Sequence, residues 1–281
     1  MIVDTHTHVI GLDEARYPLR PSGVGSQWFR DAPCTAEELA TLTAEAGVDA
    51  AVLVQAFGAY TFDNSYVVDA AAARPDRFVS IAIVDPEDPL SPARLQELAR
   101  EPRFTGVRLF SISALERPQP TWLDDPVTFA VWEACADLGL RVVVACLPEH
   151  LPRLERVLRH FPEQPVVLDH CGFVALDGGP PYPEAGELFR LSPHANLHCK
   201  ITSHLLEAAE QYGGASGIVD RLVAEFGTER LVWGSDFPQT HDRPYTDLVA
   251  LARRACANLS ERDRDLVLGG TALHLWPELS R

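Results

Sequence analysis

Two histidines spaced two apart, His6 and His8 in the stretch IVDTHTHV (residues 2–9), are the first groups in the chain that could do chemistry. Alternate side chains of a β-strand share a face, so both imidazoles can converge on one point beyond that strand, to hold a metal ion or polarise a substrate. Three later stretches carry related groups at or near their ends: Arg108 in TGVRLF, His170 in PVVLDH and Asp236 in RLVWGSDF. Imidazole nitrogens with one carboxylate suit zinc or manganese, and the carboxylate could instead take a proton from water as a general base. Arg108 offers a planar bidentate fork to a substrate carboxylate, or pairs with an acid in the barrel mouth. Cys171 follows His170 directly but has no separate His and Asn/Asp pair to activate it. With the other dispersed cysteines (Cys34, Cys135, Cys146, Cys199 and Cys256) it reads as a small buried hydrophobe, in neither a disulfide nor a Cys-based zinc site.

Positioning these groups falls to eight short β-branched runs, at residues 1–6, 49–55, 77–84, 105–110, 140–146, 165–170, 195–202 and 230–237. Between them lie helix-like segments with start signals: the capping box Thr35-x-x-Glu38, Ser91-Pro92, Asp125-Pro126 and Leu151-Pro152. Continuously apolar strands imply burial on both faces, as in a parallel sheet wrapped by helices. Eight such units, with no G-x-G-x-x-G after the first strand, predict a single (β/α)8 TIM barrel over residues 1–281 rather than a doubly wound sheet. Extended loops follow strand 1 (9–34) and strand 6 (171–184), on the C-terminal face where barrel active sites are built.

A strict period of two puts Ile2, Asp4, His6 and His8 on one face of strand 1. It groups Val166, Leu168 and His170 on strand 6, and Val232, Gly234 and Asp236 on strand 8. Closure of the barrel sets strand 8 beside strand 1, so that Asp236 can meet the two histidines. Lys200 on strand 7 and Gln55, Tyr60, Trp28, Arg30 and His241 on loops at the same end are candidates for substrate contact, whereas His160, His194 and His274 read as structural.

Charge narrows the partners. Against 24 Lys plus Arg stand 40 Asp plus Glu, dispersed along the chain for a net charge of -16, which disfavours nucleic acid. No apolar run approaches the roughly 20 residues of a membrane-spanning helix, and no basic, cleavable leader precedes strand 1, so a cytoplasmic protein without a membrane partner is expected.

VDTHTH, VVLDHCGF and VWGSDFP, in this order, resemble the amidohydrolase superfamily, in particular its amidohydrolase-related branch of lactonases and nonoxidative decarboxylases. AVLVQ, GVRLF and NLHCKIT look like the same branch at strands 2, 4 and 7. The resemblance implies metal ligands at His6, His8, His170 and Asp236. The further histidine that metal-dependent members supply from strand 5 has no counterpart in VVVACLPEH, and the bridging Lys or Glu of strand 4 is absent. It therefore implies one weakly held divalent ion, zinc or manganese, in a branch where some lactonases work without bound metal. Near the C-terminus, Thr271 stands where many members have Asn.

The expected function is hydrolytic opening of a lactone or related cyclic ester of a carboxylated or sugar-acid substrate. Asp236 and His170 are its candidate catalytic groups, with Arg108, Gln55, Tyr60, Lys200 and His241 as substrate-binding residues. A metal-dependent decarboxylase of the same branch and a non-catalytic ligand-binding barrel are the alternatives, distinguished by whether product gains water, loses carbon dioxide or does neither.

Overall fold

The computed structural model describes residues 1–21, 27–111 and 122–280; residues 22–26 of the expected loop after strand 1 lie outside the described residues. Eight parallel strands run in sequential order: β1 (Val3–Thr7), β2 (Ala50–Val54), β3 (Phe78–Ile83), β4 (Phe104–Ser111), β5 (Arg141–Cys146), β6 (Val166–Leu168), β7 (Leu197–Thr202) and β8 (Leu231–Gly234). Just beyond β8 the circle closes, where Asp236 N donates to His6 O, His8 N donates to Phe237 O (both 2.8 Å) and Thr7 bridges Phe237 in parallel. The result is the expected (β/α)8 barrel.

Helices α1 (Ala36–Glu45), α2 (Ser65–Ala73), α3 (Ser91–Leu98), α4 (Phe129–Asp137), α5 (Leu151–His160), α6 (Gly186–Phe189), α7 (Ser203–Glu210), α8 (Ala215–Phe226) and α9 (Tyr245–Ala255) cover it. Thr35 caps α1 in the reciprocal box read from the sequence. Ser91 is instead the first residue of α3 and bonds the Asp85 carbonyl, while Asp125 caps the short 3-10 turn that leads into α4.

The strands sort their side chains by alternation. Val3, Val52, Val79, Ile81, Val143, Val167 and Val232 form an interior cluster closed below by Ala272, Leu275, Trp276 and Leu279 of the C-terminal segment. Val142, Val144, Val166, Leu168, Cys199, Ile201 and Trp233 pack outward with helix residues such as Leu154, Val157 and Leu248. The apolar floor leaves polar groups to the upper interior.

Two strands depart from the predicted phase. Pairing of β1 with β2 steps from Asp4↔Ala51 to Thr7↔Leu53, three residues against two, so β1 contains an extra residue. Below this bulge Val3 faces the interior and Asp4 accepts from the Tyr245 hydroxyl of α9 at 2.9 Å; above it His6 and His8 turn inward. Asp4 thus does not share the face of His6 and His8. On β6 the inward residue is Val167, not Val166 or Leu168, which places Asp169 inside as well.

Candidate active site

Local backbone explains how three strands deliver three ligand-type side chains to one point. After β6 the chain makes a left-handed turn, with φ 53° at His170, 50° at Cys171 and 70° at Gly172. Asp236 after β8 is also left-handed, at φ 62°. Such conformations cost roughly 1–2 kcal/mol for each non-glycine residue, and strain of this kind collects at functional sites. The turn brings His170 to the interior that Asp169 already faces. Ligand atoms of His6, His170 and Asp236 lie within 4.8 Å of one another, and all three residues are buried. His8 joins them through Asp236, its Nε2 lying 3.4 Å from Asp236 Oδ1.

A hydrogen bond assigns the His8 nitrogens. His8 Nδ1 is 2.8 Å from the Val54 carbonyl, which can only accept, so the neutral ring carries its proton on Nδ1 and has a bare Nε2. His170 Nδ1 is 2.9 Å from Thr202 Oγ1. His6 Nδ1 lies 3.2 Å from Asp169 Oδ1, and its Nε2 is 3.4 Å from Asp236 Oδ1. His6 Nε2 and Asp236 Oδ1 are both buried without a hydrogen-bond partner.

Burial lowers His6 well below the usual histidine range and lowers His170 to about 4, keeping both neutral. Burial alone would raise Asp236, but the nearby His8, His170 and His6 outweigh it and hold the carboxyl below its usual range. Bare His8 Nε2, His6 Nε2 and Asp236 Oδ1 thus converge on one place, with neither His6 Nε2 nor Asp236 Oδ1 hydrogen-bonded. Buried polar atoms are rarely left so, and the donor set fits a divalent cation.

Asp169, which the sequence reading did not single out, is the hub beneath this group. Its Oδ2 accepts from Arg108 Nε at 2.6 Å, and its Oδ1 lies 2.8 Å from Lys200 Nζ. Burial alone would raise its carboxyl, but Lys200, Arg108 and His6 hold it well below the usual range. Arg108 does not end its strand, since β4 continues to Ser111; it is 6% exposed, and its guanidinium also lies over the Phe110 ring. Lys200 is fully buried.

The other candidates, Trp28 excepted, bond or pack outside the cluster. Gln55 Nε2 donates to the carbonyls of Thr61 and Asp63, each at 2.9 Å. Tyr60 OH accepts from Gly11 N, and the ring lines a cavity of about 1030 Å³ with Arg20, Asp63, Asn64 and Arg94 that takes in none of His6, His8, His170 or Asp236. His241 is exposed and bonds the carbonyls of Pro238 and Gln239. Arg30 is exposed over Phe29, while buried Trp28 packs 5.4 Å from the His8 ring. β5 ends in Ala145 and Cys146, both buried among apolar residues, so that strand brings no histidine to the cluster. All six cysteines are free and buried; the Cys171 thiol donates to the Lys200 carbonyl, and contact with Cys199 and burial push it well above the usual range.

Residues 3–277 match the amidohydrolase family model. The chain belongs to the amidohydrolase family. This amidohydrolase is 28% identical over 247 residues to an L-fucono-1,5-lactonase of Burkholderia ambifaria, covering 85% of the chain and 84% of that relative. Its fold is shared with a Pseudomonas putida protein that carries the provisional name 2-pyrone-4,6-dicarboxylic acid hydrolase (TM-score 0.81, 23% identity, 99% and 97% of the two chains). A Burkholderia multivorans amidohydrolase, crystallised with bound zinc, has the same fold (TM-score 0.79, 22% identity, 99% of each chain). Among its described residues, the amidohydrolase has no helix long and apolar enough to cross a membrane.

Proposed function

We propose that this amidohydrolase opens a lactone, or a related cyclic ester, of a sugar-acid or carboxylated substrate by adding water. The supporting observation is the convergence of bare His8 Nε2, unpartnered His6 Nε2 and unpartnered Asp236 Oδ1 at the C-terminal mouth of the barrel. The L-fucono-1,5-lactonase relative supports the choice of substrate class.

His6, His8, His170 and Asp236 are the residues that would hold a single zinc ion, with manganese as the other divalent ion these donors suit. Bound there, the ion supplies Lewis-acid polarisation of the substrate carbonyl and an acidified water. Asp236 takes a proton from the attacking water. As the ring C–O bond breaks, the departing alkoxide receives that proton back from Asp236. His170, tied through Nδ1 to Thr202, keeps its Nε2 on the same side of the barrel. Arg108 anchors an anionic substrate group, in competition with Asp169 for the same guanidinium.

Incubation with L-fucono-1,5-lactone and with carboxylated lactones should give products heavier by one water. Asp236→Asn, near-isosteric, should lower turnover by roughly 100-fold or more, the scale of a general base. Release of carbon dioxide, or near wild-type turnover in the variant, would overturn this reading.

A further inference from the structure

His6 has two neighbours at Nδ1 that make opposite demands. Asp169 Oδ1 lies at 3.2 Å and, as a carboxylate, only accepts; Lys200 Nζ lies at 3.1 Å and, as an ammonium, only donates. A donation from Lys200 would put the ring proton on Nε2. That proton would face Asp236 Oδ1 across 3.4 Å, where neither atom forms a hydrogen bond, and would leave a buried N–H without a partner. Donation from His6 Nδ1 to Asp169 instead leaves Nε2 bare beside bare His8 Nε2 and the Asp236 carboxylate. Lys200 gives up His6 as an acceptor by this but keeps Asp169, to which its ammonium donates at 2.8 Å.

We propose that Asp169 is the positioning residue of the site: it holds His6 as the Nδ1–H tautomer so that Nε2 is bare toward the cation position, while Arg108 and Lys200 hold Asp169 in register. The proposal rests on the cation-holding reading of the cluster and is independent of which ester the enzyme opens. Its energetic logic is that of a carboxylate–histidine–metal triad, in which the outer partner fixes ring orientation and tautomer. Arg108 Nε engages the outer oxygen at 2.6 Å and Lys200 the inner one, so the carboxylate is gripped on both sides and cannot rotate away from His6 without giving up a buried charge pair. The barrel core thus supplies the site's orientation from Asp169 after β6 and from two further strands, β4 and β7.

Two measurements without substrate test this. Long-range proton–nitrogen NMR of metal-free, histidine-labelled protein should show His6 as Nδ1–H in the wild type and as Nε2–H in Asp169→Asn. Zinc affinity, measured against a competing chelator, should fall roughly 10- to 100-fold in that variant, the range for loss of an outer-shell partner. Should Asp169→Asn not fold, Lys200→Met decides, because it removes the competing donor and should keep His6 as Nδ1–H. An Nε2–H wild type, a switch to Nε2–H in Lys200→Met, or an Asp169→Asn protein with unchanged tautomer and zinc affinity would each overturn the proposal. Lactonase assays enter neither measurement, so failure of the substrate assignment leaves this one decided on its own data.

Discussion

A guanidinium serves the carboxylate nearest to it, and for Arg108 that carboxylate is the protein's own Asp169. The residue type in the strand was legible as an anion receptor; its buried partner was not, because that partner comes from β6. Truncating one member of a buried ion pair strands the other, typically at about 3–5 kcal/mol. Arg108→Met should therefore destabilise the fold, read as a lower denaturation midpoint. It should also raise KM for a carboxylated lactone while leaving KM for a neutral sugar lactone near wild type, because a remote clamp acts equally on ground and transition states. Equal KM changes on both substrates would leave Arg108 with the support of Asp169 as its whole role.

At the level of elements, the site depends on where regular structure breaks. The extra residue in β1 reverses the alternation between Val3 and His6, and the left-handed turn after β6 carries His170 to the side of Asp169. The seam of β1 and β8 depends on Gly234, where an added Cβ would lie 2.6 Å from His6 Cβ and 3.0 Å from His6 N. Neither atom is the end of a flexible side chain, so the strands themselves would have to part. Gly234→Ala should cost about 1–3 kcal/mol, the usual range for overpacking, and should also weaken zinc binding by separating Asp236 from His6. Wild-type zinc affinity in a folded Gly234→Ala protein would contradict this view of the seam. Thr271 shows the opposite case: its hydroxyl donates to the Thr228 carbonyl at 2.9 Å, so its side chain tethers two elements.

Across the whole molecule the barrel is divided by height. An apolar floor, latched from below where Arg141 grips the Glu278 carboxylate at 2.9 and 3.1 Å and Arg103 the Glu278 carbonyl at 2.7 Å, supports a polar upper interior. Asp169, Asp236, Arg108 and Lys200 are all buried there, so the interior carries balanced charge although the chain as a whole is at -16. A cation bound at the mouth stabilises only the folded state. Zinc at 100 times its dissociation constant should add about 2.7 kcal/mol, or roughly 5–10 °C in Tm at about 2–4 °C per kcal/mol for a chain of this size. Calorimetry with zinc, then with excess chelator, should show the gain and its reversal; an unchanged Tm in both would remove the ion from the site.

The eight strands, several of the helix starts and the convergence of His6, His8, His170 and Asp236 were legible in the sequence because each rests on simple patterns: β-branched runs, capping residues, and the order of motifs at strand ends. Phase was not. A period of two counted from Ile2 or Val166 fails as soon as one residue is inserted in β1 or the inward face of β6 starts at Val167, and neither event has a local signature. Asp169 stands within VVLDHCGF, but counting from Val166 turns it outward. Gln55 and Tyr60 were expected on loops, but Tyr60 ends a short helix (Phe57–Tyr60), and their hydrogen bonds go to the backbone of Thr61, Asp63 and Gly11. Which polar group faces substrate and which braces the protein depends on partners far apart in the chain, and only closure of the barrel brings those partners within hydrogen-bonding distance.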